Sequence, residues 1–350
     1  MSALVVVAAG PGSSLQDAGR LGWLRHGVSR AGAFDRRYQA AANILAGNDP
    51  GLACVEMTLA GDSYRLDAES ALVAFAGRFR LRIDGEDAAP FRAHLLHRGQ
   101  TLSVGPAEGE VRGYLAVAGG FDLFPVLGSL STHVRTGIGP LGGRLLRAGE
   151  RLPMHLARPP ARPPLALDPA LVVRPPAALR VTLGPQDGHF TPEGIATLFG
   201  ARFRVTADAD RMGYRLSGPP IAHALGYNIV SDGIPPGAIQ VPGDGQPILL
   251  GPDRQTTGGY PKIGCIIGPD LGLLAQAAPG QELTFRQVGI EEATAAELAE
   301  RRFIAGLAGR MRPAGAAGLD SGLLLEANLI DGVIDMNAPE WHGGSEEAGQ

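Results

Sequence analysis

Residues 231–269 read SDGIPPGAIQVPGDGQPILLGPDRQTTGGYPKIGCIIGP, and their punctuation decides the fold class. Three turn clusters, Ile234-Pro235-Pro236-Gly237, Val241-Pro242-Gly243-Asp244-Gly245 and Thr257-Gly258-Gly259-Tyr260-Pro261, separate short apolar runs. Proline presets φ and glycine admits left-handed backbone, so the pattern predicts closely spaced β-strands. The last loop gathers Asp253, Arg254, Gln255, Thr256, Thr257 and Lys262 around Gly258 and Gly259. Lys262 is the only lysine in the chain; the other basic side chains are arginine or histidine.

The totals agree with a mainly β protein carrying a few short helices. A chain of 350 residues predicts about two domains. Hydrophobic residues make up 45%, enough for packed cores, and the 51 glycines and 28 prolines are spread among apolar runs as turn residues. A net charge of −4 without a basic block argues against nucleic-acid binding. Two cysteines, Cys54 and Cys265, are too few for a disulfide framework and read as small buried hydrophobes. The apolar start at residues 3–9 lacks a preceding basic residue and ends at Gly10-Pro11-Gly12, so it reads as a strand, not a leader. No apolar run reaches membrane-spanning length, and a soluble cytoplasmic protein is expected.

Along the chain, Asp35 is the expected N-cap of a helix with Tyr38, Ala41, Ala42 and Leu45 on one side and a stop at Gly47-Asn48. Strands are expected at 64–66, 71–75, 79–83 and 101–104, with Asp84-Gly85 as a hairpin turn. Tyr114-Leu115-Ala116-Val117-Ala118 reads as a buried strand. Thr191-Pro192-Glu193 predicts a second helix, ending at Gly200. The resulting division is an N-terminal β-rich domain over 1–157, a proline-rich linker over 158–178 and a β-barrel over 179–290. A helical segment and tail over 291–350 follow, with Leu298, Phe303, Leu307 and Met311 at helical spacing.

The sequence has no G-x-x-x-x-G-K-[ST] phosphate loop, no G-x-S-x-G nucleophile elbow and no strand-coupled G-x-G-x-x-G fingerprint. His94 and His97 form the only close histidine pair and lack partners at ligand spacing, so no metal is expected. What remains is the loop 253–262, which follows an apolar strand at 247–250. Arg254 offers a planar fork for a carboxylate or phosphate, Lys262 a point charge, and Gln255 both a donor and an acceptor for an amide. Backbone N–H groups of Thr256, Thr257, Gly258 and Gly259 are candidates for an anion nest. Equally, Asp253 and Arg254 are expected as an ion pair bracing the turn, with Lys262 solvated; spacing does not choose between the two readings. Asp17 and Asp232 are the candidate bases, and Gln240 and Arg211 complete the candidate substrate contacts.

Several of these residues resemble one family. They include Ser14-Leu15-Gln16-Asp17-Ala18-Gly19-Arg20, Glu56, Tyr114 with the run to Asp122, and Gly184-Pro185-Gln186. Asp210-Arg211-Met212-Gly213, most of residues 237–261, and Ala327-Asn328-Leu329 with the run to Asp335 extend the likeness over almost the whole chain. They are similar to the KipA / allophanate-hydrolase-subunit-2 family. That resemblance implies cyclophilin-like β-barrels and the C subunit of an ATP-dependent 5-oxoprolinase, which opens the lactam of 5-oxoproline to glutamate. The implied partners are a KipI-like protein, the B subunit, and a LamB/YcsF-like protein, the A subunit, with ATP as co-substrate. The same module forms half of the biotin-dependent carboxyltransferase region of urea carboxylase; the third alternative is a regulatory partner of a KipI-like kinase inhibitor. No Met-Lys acceptor occurs here, so biotin is not expected to be attached to this chain. Arg254, Lys262 and Asp17 are the expected catalytic residues of a site completed by another protein of the complex; the most specific matches end at Pro261, so the resemblance adds weight to Arg254, Gln255, Thr256 and Thr257 more than to Lys262. Ala18 and Ser29-Arg30 depart from the family pattern, which often has leucine and prolines there.

Overall fold

The computed structural model describes residues 2–156, 163–175 and 177–314. The expected segment at 323–336 and the tail at 337–350 lie outside them. The first half is built on two antiparallel sheets. One runs, edge to edge, Arg151–Pro153, Ala3–Ala8, Ser63–Asp67, Thr101–Ala107, Phe79–Ile83 and Glu86–Ala88. The other runs Ser14–Gln16, Cys54–Thr58, Arg112–Val117, Ser70–Ala76, Arg92–His97, Leu165–Ala166 and Arg312–Pro313. Asp84 and Gly85 have φ of 50° and 90°, the doubly left-handed turn that suits a two-residue hairpin.

Alternation along the strands explains why the second sheet reads as continuous apolar runs. Val73, Phe75, Leu115 and Val117 point into a core shared with the first sheet. Leu72, Ala74, Tyr114 and Ala116 point the other way, onto helix α1 (Arg36–Ala46). Asp35 caps α1 by accepting from the N–H groups of Arg37 and Tyr38, and Gly47 ends it at φ 82°. Ala41 and Ala42 are fully buried and small enough to let α1 lie close on the sheet.

In the second half one eight-stranded sheet curls into a nearly closed barrel. Its order is Glu282–Leu283, Phe203–Ala209, Gly213–Ser217, Ile248–Leu250, Ala238–Gln240, Lys262–Ile266, Leu179–Leu183 and Phe285–Gln287. The two edge strands are consecutive in sequence, separated only by Thr284. One chain segment therefore supplies both edges, which brings the ends of the sheet together and limits exposed edge. Helix α2 (Pro192–Gly200), capped by Thr191, the short α3 (Leu271–Ala275) and α4 (Ile290–Ala305) complete this half.

Two expectations change. The segment expected as a linker over 158–178 is, in its described part, a piece of the first half: Leu165–Ala166 extends the second sheet, and Leu167 and Val172 are buried against α1's core. Among the described residues, Pro163, Pro164, Pro169 and Pro175 stiffen a strap that these apolar residues anchor. Of the expected apolar stripe only Leu298 fails to pack, being 46% exposed; Leu307 is buried in the core against α1 with Phe303 and Met311 packed beside it, and Glu300 of α4 is buried too. Glu300 receives the Arg37 guanidinium, and Arg36 pairs with Glu297 at 2.9 Å. Charge pairing with α1 and packing of Phe303 and Leu307 together set how this segment docks. Among the described residues no helix is long and apolar enough to cross a membrane. Burial pushes the Cys265 thiol up to about 11, and Cys54, also free, is pushed up more strongly.

The halves meet around one carboxylate. Glu56, 1% exposed, accepts from the Phe34 N–H at 3.0 Å, the Tyr114 hydroxyl at 2.7 Å and the Arg211 guanidinium. Arg112, also buried, lies 3.6 Å from Glu56 and donates to the Tyr214 hydroxyl and the Ala275 carbonyl of the second half. Phe34, from the first half, packs in the second half's core beneath the Arg112 guanidinium. Burial opposes ionisation of Glu56, but Arg211, Arg112 and the two neutral donors outweigh it and hold its pKa below the usual value. A depressed pKa contributes stability above the unfolded value that is lost as pH falls through the folded one. Glu56→Gln is therefore expected to lower unfolding free energy at pH 7 by about 3–5 kcal/mol, the range for breaking a buried ion pair. In urea denaturation the deficit should shrink below a pH of about 4.3. Equal stability of the two proteins at neutral pH would contradict this role.

Candidate functional site

The loop after Ile248–Leu250 is held from two sides. Gly251 and Asp253 donate their N–H groups to the Met212 and Arg211 carbonyls at 2.8 and 3.0 Å. Arg211 in turn grips Asp253 with two bonds of 2.9 Å. From the first half, His133 reaches the Asp253 carbonyl with Nε2 at 3.0 Å. Its Nδ1 accepts the Thr136 N–H, so Nε2 carries the proton and donates. Gly251 is required by space: a Cβ there would lie 2.4 Å from the Arg211 carbonyl oxygen.

This clamping aims Arg254 at a cleft of about 460 Å³ between the halves, within the size range of small-ligand sites. Asp17, Arg30, Phe34, Pro236, Arg174 and Leu271 are among its other lining residues. The Arg254 side chain is 1% exposed, and Nε donates to the Ile234 carbonyl at 2.9 Å and Nη1 to that of Pro252 at 3.4 Å. Among the described residues no carboxylate lies within ion-pairing distance of it. Burial pulls its pKa down to about 10, helped by repulsion from Arg30. A desolvated cation without a paired anion is electrostatically suited to receive one.

Of the expected site residues, the structure brings Arg254 and Asp17 to this cleft. Asp17 accepts from the Ser129 and Ser131 hydroxyls at 2.7 and 2.5 Å and from the Leu130 and Gly19 N–H groups. With four donors on it, the carboxylate braces the cleft wall and has little capacity left to act as a base. Lys262 gathers a second cluster. Its ammonium lies 3.0 Å from Asp232, its side chain is 5% exposed, and Gln186 bridges its N–H to the same carboxylate. Gln240, buried, accepts from Gln255 at 3.5 Å. Lys262 is thus neither solvated nor free, and Asp253 pairs with Arg211, not with Arg254.

Two expectations fail on geometry. The backbone of Thr256, Thr257, Gly258 and Gly259 forms no nest: none has a positive φ, and Thr257–Gly258 is a strand paired with Asp232–Gly233. Extended backbone alternates its N–H groups, so they do not converge on one anion. Gly258 is there for packing, because a Cβ would meet Ile234 at 2.7 Å and Gln240 at 2.8 Å. Arg211 is not a substrate contact either, being committed to Asp253, Glu56 and the Gly32 carbonyl. Arg174 and His133 were not singled out from sequence, where nothing separates them from other arginines and histidines, and Arg30 stood out only as part of a departure from the family pattern, not as a site residue. No group of three or more His, Cys, Asp or Glu among the described residues could hold a metal ion. Gly251→Ala is expected to shift the Arg254 loop and cost about 1–3 kcal/mol, as overpacking does. A thermal melt unchanged from the parent protein would show that the loop is not clamped as described.

Residues 26–287, which take in most of both halves and the Arg254 loop, match the family model of the carboxyltransferase domain, subdomain A and B. The chain is 34% identical over 308 residues to the 5-oxoprolinase C subunit of Escherichia coli (strain K12), covering 88% of this chain and 98% of that protein. It is 32% identical over 285 residues to the 5-oxoprolinase C subunit of Haemophilus influenzae, covering 80% and 90%. Among solved structures, the Kluyveromyces lactis urea carboxylase superposes with a TM-score of 0.81 at 26% identity, over 91% of this chain and 30% of that one. The matched region takes in most of both halves and most of the residues that line the cleft, Arg30 and Arg254 among them, and the chain belongs to the family of carboxyltransferase domains, subdomain A and B.

Proposed function

We propose that this chain is the C subunit of an ATP-dependent 5-oxoprolinase acting in the cytoplasm, and that it holds the small acid substrate in the cleft between its halves. Its kinship to two 5-oxoprolinase C subunits, nearly end to end, supports the reaction class. The observation that carries it to a site is Arg254: a buried guanidinium, bonded only to carbonyls, facing a cleft of small-ligand size. Its unoccupied donor suits the carboxylate of 5-oxoproline. Transfer of the γ-phosphoryl group to the lactam oxygen makes the ring carbon electrophilic; water adds, the C–N bond breaks, and phosphate leaves with glutamate. With no phosphate loop in the sequence, the ATP site is assigned to the complex formed with a KipI-like and a LamB/YcsF-like partner.

The Lys262, Asp232, Gln186, Gln240 and Gln255 cluster lies on the same loop system and supplies amide and ammonium donors for orienting a lactam. A carboxyltransferase role toward urea is the second reading, supported by the likeness to urea carboxylase. In that reading biotin arrives on another chain, since the sole lysine is buried in an ion pair.

The test is ATP hydrolysis by the purified chain, alone and with both partners, with and without 5-oxoproline. Turnover is expected only from the full set. Arg254→Ala should lower it by roughly a hundredfold or more, as loss of a charge-assisted contact to substrate implies, while partner binding survives. Full activity of that variant would remove Arg254 from the site. Avidin-sensitive carboxylation of urea in place of 5-oxoproline turnover would establish the second reading instead.

A further inference from the structure

Arg30 has no role in the reading above, yet it faces the same cleft from the other half. Its Nε and Nη2 donate to the Ala18 carbonyl at 3.1 and 2.8 Å, which fixes the plane of the guanidinium. Among the described residues its Nη1 has no protein partner, and neither has Nη2 of Arg254. The two cations are close enough to repel, and burial followed by this repulsion lowers the Arg254 pKa. Most other charges on the wall are spent, and Arg174, among the described residues a third arginine without a direct ion pair, donates to the Pro269 carbonyl and offsets the charge of Asp35. Arg36 and Arg301 pair with Glu297, Arg37 pairs with Glu300, and the Asp17 oxygens are taken by serine hydroxyls and backbone N–H groups. Asp35, at the far side, receives Gln276 and the first N–H groups of α1. The lining holds six arginines against four carboxylates, so an excess of positive charge remains. Two unpaired guanidiniums in one partly dry cleft cost stability that a bound anion restores.

We propose that Arg30 and Arg254 form a two-armed clamp, one arm from each half, that selects a small dicarboxylate. This rests on the reading of the cleft as the substrate site and extends it. Opening the lactam of 5-oxoproline creates a second carboxylate together with an ammonium at the former ring nitrogen, and the second arm meets the new carboxylate. Arg254 holds the carboxylate already present, and Arg30 receives the new one.

The experiment is calorimetric titration of the full chain at low ionic strength with 5-oxoproline, glutarate and inorganic phosphate. Glutarate is expected to bind about tenfold or more tighter than 5-oxoproline, the gain of one charged hydrogen bond. Arg30→Gln should erase that preference and leave 5-oxoproline affinity within about twofold, whereas Arg30→Lys, which keeps the charge, retains the preference. Arg254→Gln should weaken both ligands, and thermal melts establish that each variant is folded. Equal affinities in the parent protein, an unchanged preference in Arg30→Gln, no binding of either acid, or phosphate binding as tightly as glutarate would each overturn the clamp. A glutarate preference without 5-oxoproline turnover by the assembled complex sustains the clamp and removes the 5-oxoprolinase reading.

Discussion

A single buried carboxylate, Glu56, ties the two halves of the chain together. Removed from water, it is stable only because Arg211, Arg112, Tyr114 and the Phe34 N–H surround it. Each of the three side chains has a second attachment. Arg211 holds Asp253, Arg112 holds Tyr214 and the Ala275 carbonyl, and Tyr114 accepts from the Asp35 N–H at the start of α1. The network thus fixes, from one point, the Arg254 loop, the barrel wall and the helix that lines the cleft. A buried ion pair of this kind specifies geometry more than it adds net stability, and geometry is what a shared cleft requires.

The cleft inherits its electrostatics from that arrangement. Because Asp253 is consumed by Arg211, it does not neutralise its neighbour Arg254. Because Asp17 is consumed by the Ser129, Leu130 and Ser131 loop, it does not neutralise Arg30 at bonding distance. Both arginines are oriented by main-chain carbonyls, which fix direction without cancelling charge. Positive charge is left where the two halves face each other, within a low-dielectric wall that strengthens any bound anion's interaction.

Much of this was legible in the sequence. Turn clusters gave the β-rich class, Asp35 and Thr191 marked helix starts, and Asp84-Gly85 marked a hairpin, because these depend on local backbone chemistry. Arg254 and the grouping of Lys262 with Asp232, Gln240 and Gln255 were also within reach, since they share one loop system. What was hidden depends on long-range pairing. Thr257 and Gly258 look like a nest until Asp232 and Gly233 pair with them as a strand. Arg211 looks like a ligand fork until Glu56, 155 positions away, occupies it. The proline-rich strap looks like a linker until Ala166 meets Arg92. Arg30 joins Arg254 only because the halves fold against each other, and no spacing in the sequence encodes that.

The most direct measurement is the structure of the assembled complex with 5-oxoproline bound. The expected result is the substrate carboxylate in the cleft, about 3 Å from Nη2 of Arg254, with the lactam ring directed toward Arg30. A substrate carboxylate seated elsewhere, with Arg254 still bonded only to the Ile234 and Pro252 carbonyls, would contradict it.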